Sequence, residues 1–83
     1  MYPAAKNVAP LDGTVIVVEF VNGVVKTFDM TPLINKHEDY TALLDRDFFE
    51  KVHIDYGGHV LVWNTKVDIS SSAIWDKGTT VTS

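Results

Sequence analysis

Cysteine is absent from the chain, which removes disulfides, thiolate-held metals and a cysteine nucleophile together. No apolar run approaches the ~20 residues that a membrane-spanning helix needs. The start, Met1-Tyr2-Pro3-Ala4-Ala5-Lys6, has neither the basic opening nor the apolar stretch of an export signal, so a cytoplasmic location is expected. Clustered positive charge is also missing: seven Lys and Arg stand singly among eleven Asp and Glu, for a net charge of −4. Nucleic-acid binding draws much of its affinity from cations gathered on one surface, so direct binding to nucleic acid is not expected. Repeats, linkers and low-complexity segments are absent too.

What is present is enough for one core. The 83 residues are 46% hydrophobic and 22% charged, ordinary values for a globular chain. A second core could not be supplied at this length. The expectation is a single α+β domain over residues 1–78, with 79–83 as a frayed polar tail. So small a domain has a thin stability margin, which an interface with a partner or a second copy would widen.

The clearest local signal is Asn22-Gly23, set between apolar stretches from Thr14 to Val21 and from Val24 to Asp29. Both residues tolerate positive φ, as a two-residue type I′ hairpin turn requires. That turn sets Phe20 opposite Val25, Glu19 opposite Lys26 and Val18 opposite Thr27. Ile16, Val18, Phe20 and Val25 then face the core, and Glu19 and Lys26 form an opposed charge pair on the other side. Ala5 to Leu11 reads as a leading strand that turns at Asp12-Gly13, with Pro10 suited to a sheet margin because it cannot donate to a ladder.

After Met30 the period changes. Thr31-Pro32 has the pattern of a helix cap followed by proline in the first turn. Tyr40, Leu43, Leu44 and Phe48 recur at spacings of three and four, as one buried helical face requires. Asp45 suits the cap of a short helix carrying Phe48, Phe49 and Val52. Val52–Asp55 and Val60–Trp63 form a second hairpin around Gly57-Gly58, and Val67–Ile69 follows as another strand. Ser70 caps a last helix that Gly78 ends. The fold class is therefore α+β: an antiparallel, hairpin-built sheet of about five strands with short helices packed on one face.

Loop parity around Gly57-Gly58 decides whether a reactive cluster exists, because a one-residue change in register turns a strand's side chains to the other face. A two-residue loop sets Ile54 opposite Leu61 and His53 opposite Val62, which leaves His53 and His59 on opposite faces. It also gathers Val52, Ile54, Tyr56, Leu61 and Trp63 on one side, and is the favoured register. A three-residue loop would bring His53, Asp55 and His59 together as a rudimentary metal-binding triad. His37 lies in a polar turn and reads as solvated.

Other residues able to carry chemistry have plainer explanations. Asp45 and Asp47 fit the capping and first turn of a helix, where negative charge is favoured. Ser70-Ser71-Ser72 has no glycine elbow or histidine partner to make a nucleophile. Gly57-Gly58 lacks the strand-to-helix glycine pattern that aims several N–H groups at a phosphate. Trp63 and Trp75 suit core or interface anchors.

Four segments carry a resemblance: "MYPAAKNVAPLDG", "VEFVNGVVKTFDM", "LLDRDFFEKVHID" and "VLVWNTKVDISSSAIWDKG". In this order and spacing the chain resembles the bacterial family of domains of unknown function numbered twenty-four forty-two. The resemblance implies a small, soluble α+β domain with no established activity. Some relatives look like modules joined to a helix-turn-helix segment, and others stand beside a second small family in toxin–antitoxin-like gene pairs. The family's Trp63 and Asp68 positions are kept, without a catalytic role. Asn64-Thr65-Lys66 replaces the proline-and-glycine turn of many members. With no helix-turn-helix before Ser83, DNA binding by the chain alone is not expected.

Three functions follow as expectations. The first is a non-catalytic protein-interaction module, the antitoxin-like half of a two-gene pair, needing no cofactor and touching its partner through Tyr56, His59, Trp63, Asp68 and Trp75. The second is a metal-dependent or acid–base enzyme built on His53, Asp55 and His59. The third is a homodimeric ligand-sensing or structural domain.

Overall fold

Strand β2 (Val15–Phe20) organises the molecule. Its alternate residues Ile16, Val18 and Phe20 are wholly buried, while Val15, Val17 and Glu19 are half-exposed, as the two-residue period of a one-sided sheet dictates. The computed structural model describes residues 2–81. In it β1 (Ala5–Pro10), β2, β3 (Val25–Asp29) and β7 (Thr79–Thr80) form a four-stranded antiparallel sheet in the order β1-β2-β3-β7. A second antiparallel sheet contains β4 (His53–Asp55), β5 (Val60–Val62) and β6 (Asp68–Ser70) in sequence order. The α+β class holds, but the strands number seven in two sheets rather than about five in one.

The first hairpin pairs one residue away from the sequence expectation. Glu19 faces Val25, Val18 faces Lys26 and Ile16 faces Phe28. The loop is Val21-Asn22-Gly23: Gly23 N donates to Phe20 O at 2.9 Å, Phe20 N to Val24 O at 2.8 Å, and Gly23 has φ +90°. Asn22 Oδ1 accepts from Val24 N at 3.1 Å, so asparagine spends its side chain holding a three-residue turn whose left-handed position falls to glycine. Lys26 consequently stands on the core side. Its ammonium lies over the Trp75 ring, with Nζ 4.4 Å from the centroid and donating to Trp75 O. Glu19 is paired instead by Asn7, whose Nδ2 donates to Oε1 at 2.8 Å.

Helix α1 (Thr31–Lys36) begins with Met30, not Thr31, at its cap position. Asp29 Oδ1 accepts from Thr31 N at 2.9 Å, so the preceding carboxylate satisfies the end that the threonine was expected to cap. Glu38–Leu44 then winds as a 3₁₀ helix, in which residues three apart align. Tyr40 and Leu43 therefore share the inner side, and Leu44 is 67% exposed rather than buried. Asp45 caps α2 (Arg46–Phe49) as its type predicts, accepting from Asp47 N at 3.0 Å. Val52 falls beyond that helix.

Both sheets and the helices share one core, in which Phe20, Met30, Leu43, Phe49, Leu61 and Ile74 are fully or almost fully buried. Helix α3 (Ser71–Lys77) is capped by Ser70 and packs on β3. It carries Trp75 edge-on to Phe20, with ring centroids 5.0 Å apart. Gly78 ends α3 in extended conformation, and an added Cβ there would stand 2.5 Å from Ile74 O and 3.0 Å from Thr27 O. That close approach delivers Thr79 and Thr80 to β3, and Val81 N donates to Val25 O at 2.8 Å. The expected fraying from Thr79 onward is thus replaced by a strand up to Thr80. Residues 82–83 of the expected tail lie outside the described residues.

Candidate functional site

The second sheet pairs as the favoured register requires, with His53 opposite Val62, Ile54 opposite Leu61 and Asp55 opposite Val60. Its connection differs. Tyr56–Gly58 makes a 3₁₀ turn with Tyr56, Gly57 and Gly58 all at positive φ, and pairing resumes at Val60. Gly58 is pressed on the main chain of Ala5 and the Cβ of Ala4, leaving no room for a Cβ. Tyr56 therefore leaves the apolar face where the sequence placed it and is 71% exposed.

His53 and His59 are held apart by separate partners. His53 Nδ1 lies 3.1 Å from Lys51 O, whereas His59 Nδ1 lies 3.3 Å from the Tyr2 hydroxyl, with the two rings edge-on at 5.9 Å. Among the described residues no three His, Asp or Glu side chains gather as a metal site. The converging triad of His53, Asp55 and His59 is the arrangement the chain does not adopt, because the longer turn keeps Asp55 opposite Val60 rather than His59.

The outer face of the second sheet has two cross-strand rows, His53–Val62–Asp68 and Asp55–Val60–Ser70. A groove of about 360 Å³ opens on this side. His53, Asp55, Val62 and Asp68 line it from the strands, while Tyr56, Asn64 and Thr65 line it from the turns. No Lys or Arg lines it, so its character is that of two carboxylates beside an imidazole and a phenol. Asp55 Oδ1 accepts from Tyr56 N at 2.8 Å, which steadies the aromatic rim residue. Asn64 Oδ1 accepts from Lys66 N and Val67 N, each at 2.8 Å, and so fixes the β5–β6 turn. The Tyr40 hydroxyl donates to Asp68 O at 2.8 Å, and burial, followed by the charges of Asp68 and Asp39, raises its pKa.

Of the five partner-contact residues expected from sequence, this arrangement brings together Tyr56 and Asp68. His59 meets Tyr2 edge-on instead. Trp63 is 4% exposed, stacks on Phe49, and donates from Nε1 to Phe49 O at 2.9 Å; it anchors the core rather than a surface. Trp75 is half-buried between Phe20 and Lys26. Sequence reasoning placed Asn64 and Thr65 at a turn but did not count them among the contact residues, which is where the groove puts them. It missed the bracing role of Arg46, whose Nη1 donates to Leu11 O and Gly13 O while Nε pairs with Glu50. No local pattern announces those long-range contacts.

A family model described as a protein of unknown function, DUF2442, matches residues 5–80. The chain belongs to the DUF2442 family. The match begins at the first residue of β1 and stops at the last of β7, so the DUF2442 unit coincides with the two-sheet fold. No curated protein and no solved structure matches the chain. Among the described residues of this DUF2442 domain, no helix is long and apolar enough to cross a membrane.

Proposed function

We propose that this DUF2442 domain is a non-catalytic protein-interaction module, acting in the cytoplasm as the antitoxin-like member of a two-gene pair. Its contact surface is the outer groove of the second sheet. The observation that carries this reading is the placement of an exposed aromatic, Tyr56, beside Asp55 and Asp68 on a three-stranded sheet. Exposed tyrosine supplies contact area at low entropic cost, and acidic side chains select a basic partner and speed its approach. The net charge of −4 acts in the same sense.

The test is affinity capture from the native host with wild-type protein and two variants, Tyr56→Asn and Asp68→Asn. Asparagine tolerates the positive φ of Tyr56, so the fold is retained while the aromatic is lost. A small basic protein recovered in stoichiometric amount by wild type and lost from both variants is the expected result. Recovery unchanged by either substitution, or no specific recovery, would refute the assignment of this surface.

A further inference from the structure

A second cleft, of about 350 Å³, lies where β3, α1 and α3 meet and shares no lining residue with the groove above. Phe28, Pro32 and Leu33 give it an apolar lining, and Lys36 and Lys77 stand beside them. Its one acid is Asp29, a carboxylate whose Oδ1 accepts from Thr31 N at 2.9 Å and from the Thr14 hydroxyl at 3.3 Å, against two lysines. Among the described residues the one ion pair is Arg46–Glu50, so neither lysine has a carboxylate partner. Each lysine occupies the last turn of its helix, where the terminal carbonyls favour a cation. That preference explains each position separately; it does not explain why two lysines without a carboxylate partner among the described residues line one apolar cleft in a chain of net negative charge.

We propose that this cleft binds a small carboxylate bearing an apolar chain. The two ammonium groups take the carboxylate, and Phe28, Pro32 and Leu33 receive the hydrocarbon. The volume falls within the range of small-molecule sites, which are mostly apolar with a few polar groups that fix orientation. The ammonium groups alone would suit any anion; the apolar lining selects one that carries a hydrophobic body.

Titration of the isotope-labelled protein with octanoate below its micellar concentration, followed by amide chemical shifts, tests this directly. Saturable shifts centred on Phe28, Leu33, Lys36 and Lys77 are expected. Octylamine, octanol and inorganic phosphate should each give much weaker shifts, since each lacks one half of the recognised group. The double variant Lys36→Gln/Lys77→Gln should bind octanoate about tenfold more weakly, the equivalent of two exposed ion pairs. Lys36→Arg/Lys77→Arg should restore binding, and Lys51→Gln/Lys66→Gln, which changes net charge equally elsewhere, should leave it intact. The proposal is overturned by absence of saturable shifts, by octylamine or octanol binding as well as octanoate, or by equal weakening in both glutamine variants. Tyr56→Asn leaves octanoate binding unchanged, which separates this site from the partner groove.

Discussion

Replacing Gly58 with alanine should destabilise the fold far more than the same change at Gly57, although the residues are neighbours in one turn. Both have positive φ, +67° at Gly57 and +92° at Gly58, so each substitution forces an L side chain into the left-handed region at a cost of about 1–2 kcal/mol. At Gly57 nothing further opposes the methyl group, whose nearest neighbour is His59 Cδ2 at 4.0 Å. At Gly58 the added carbon would lie 2.6 Å from Ala5 O, 2.9 Å from Ala4 Cβ and 3.1 Å from Ala5 N. Two of these are main-chain atoms, which cannot rotate away, so the turn or the start of β1 must move by about 1 Å to reach ordinary contact distance. Overpacking of this kind adds about 1–3 kcal/mol. The sum is about 2–5 kcal/mol for Gly58→Ala against about 1–2 kcal/mol for Gly57→Ala. At 0.05–0.15 kcal/mol per residue, a chain of 83 residues has a total stability of about 4–12 kcal/mol, so the first change removes a large share. Urea unfolding followed by tryptophan fluorescence reads the difference, because Trp63 is buried and Trp75 half-buried. Equal losses for the two variants would mean that the turn is not pressed on β1, and the argument for how Tyr56 is held in place would go with it.

Three further outcomes can be checked on the same material. Ser71 is wholly buried and its hydroxyl has no hydrogen-bond partner among the described residues, so Ser71→Ala should stabilise the protein by about 1 kcal/mol in urea unfolding; a loss of stability would reveal a bond that the geometry does not show. Trp63→Phe removes the Nε1 donor from Phe49 O and should cost about 1–3 kcal/mol, read as a lower thermal midpoint, whereas a surface role for Trp63 predicts almost no change. The bond from Thr31 N, followed by those from the hydroxyls of Thr31 and Thr14, holds the Asp29 carboxyl below the usual carboxylate range. A lowered folded pKa contributes stability above the unfolded value, lost as pH falls through the carboxylate range. Asp29→Asn should therefore flatten the acid limb of a stability–pH curve, most visibly at low salt because the group is exposed; an unchanged limb would refute it.

What the sequence made legible was governed by short-range rules. The alternation of Ile16, Val18 and Phe20, the caps at Asp45 and Ser70, and the Ile54–Leu61 register all follow from period or local hydrogen bonding, and the structure has them. The same Asn22-Gly23 pair is compatible with two loop lengths, and the choice between them moved every partner in the first hairpin by one residue. Lysine's ability to set its ammonium over a ring while donating to a carbonyl is what made the unexpected register tolerable at Lys26. The strand at Thr79–Thr80 was illegible for another reason: polar threonines at a terminus look unstructured until Gly78 brings them against β3.

The candidate site shows the same division. Tyr56 and Asp68 were identifiable as residue types suited to contact, but the surface that joins them depends on a turn whose three positive φ values no pairing rule specified. That turn also determines the chemistry. By keeping Asp55 opposite Val60 and sending His59 to Tyr2, it leaves the imidazole of His53 with a backbone carbonyl as its hydrogen-bond partner. General acid–base catalysis needs a proton donor or acceptor aligned with a reacting group, and metal catalysis needs several ligands aimed at one point. The groove instead spreads two carboxylates, an imidazole and a phenol along the sheet, with a valine at the centre of each cross-strand row. On the proposed reading, these separated polar contacts flanking an apolar centre would meet an extended partner surface rather than a single reacting atom. If the turn instead had the three-residue geometry, Asp55 would face His59, and Tyr56→Asn would leave partner capture untouched while His59→Ala abolished the function.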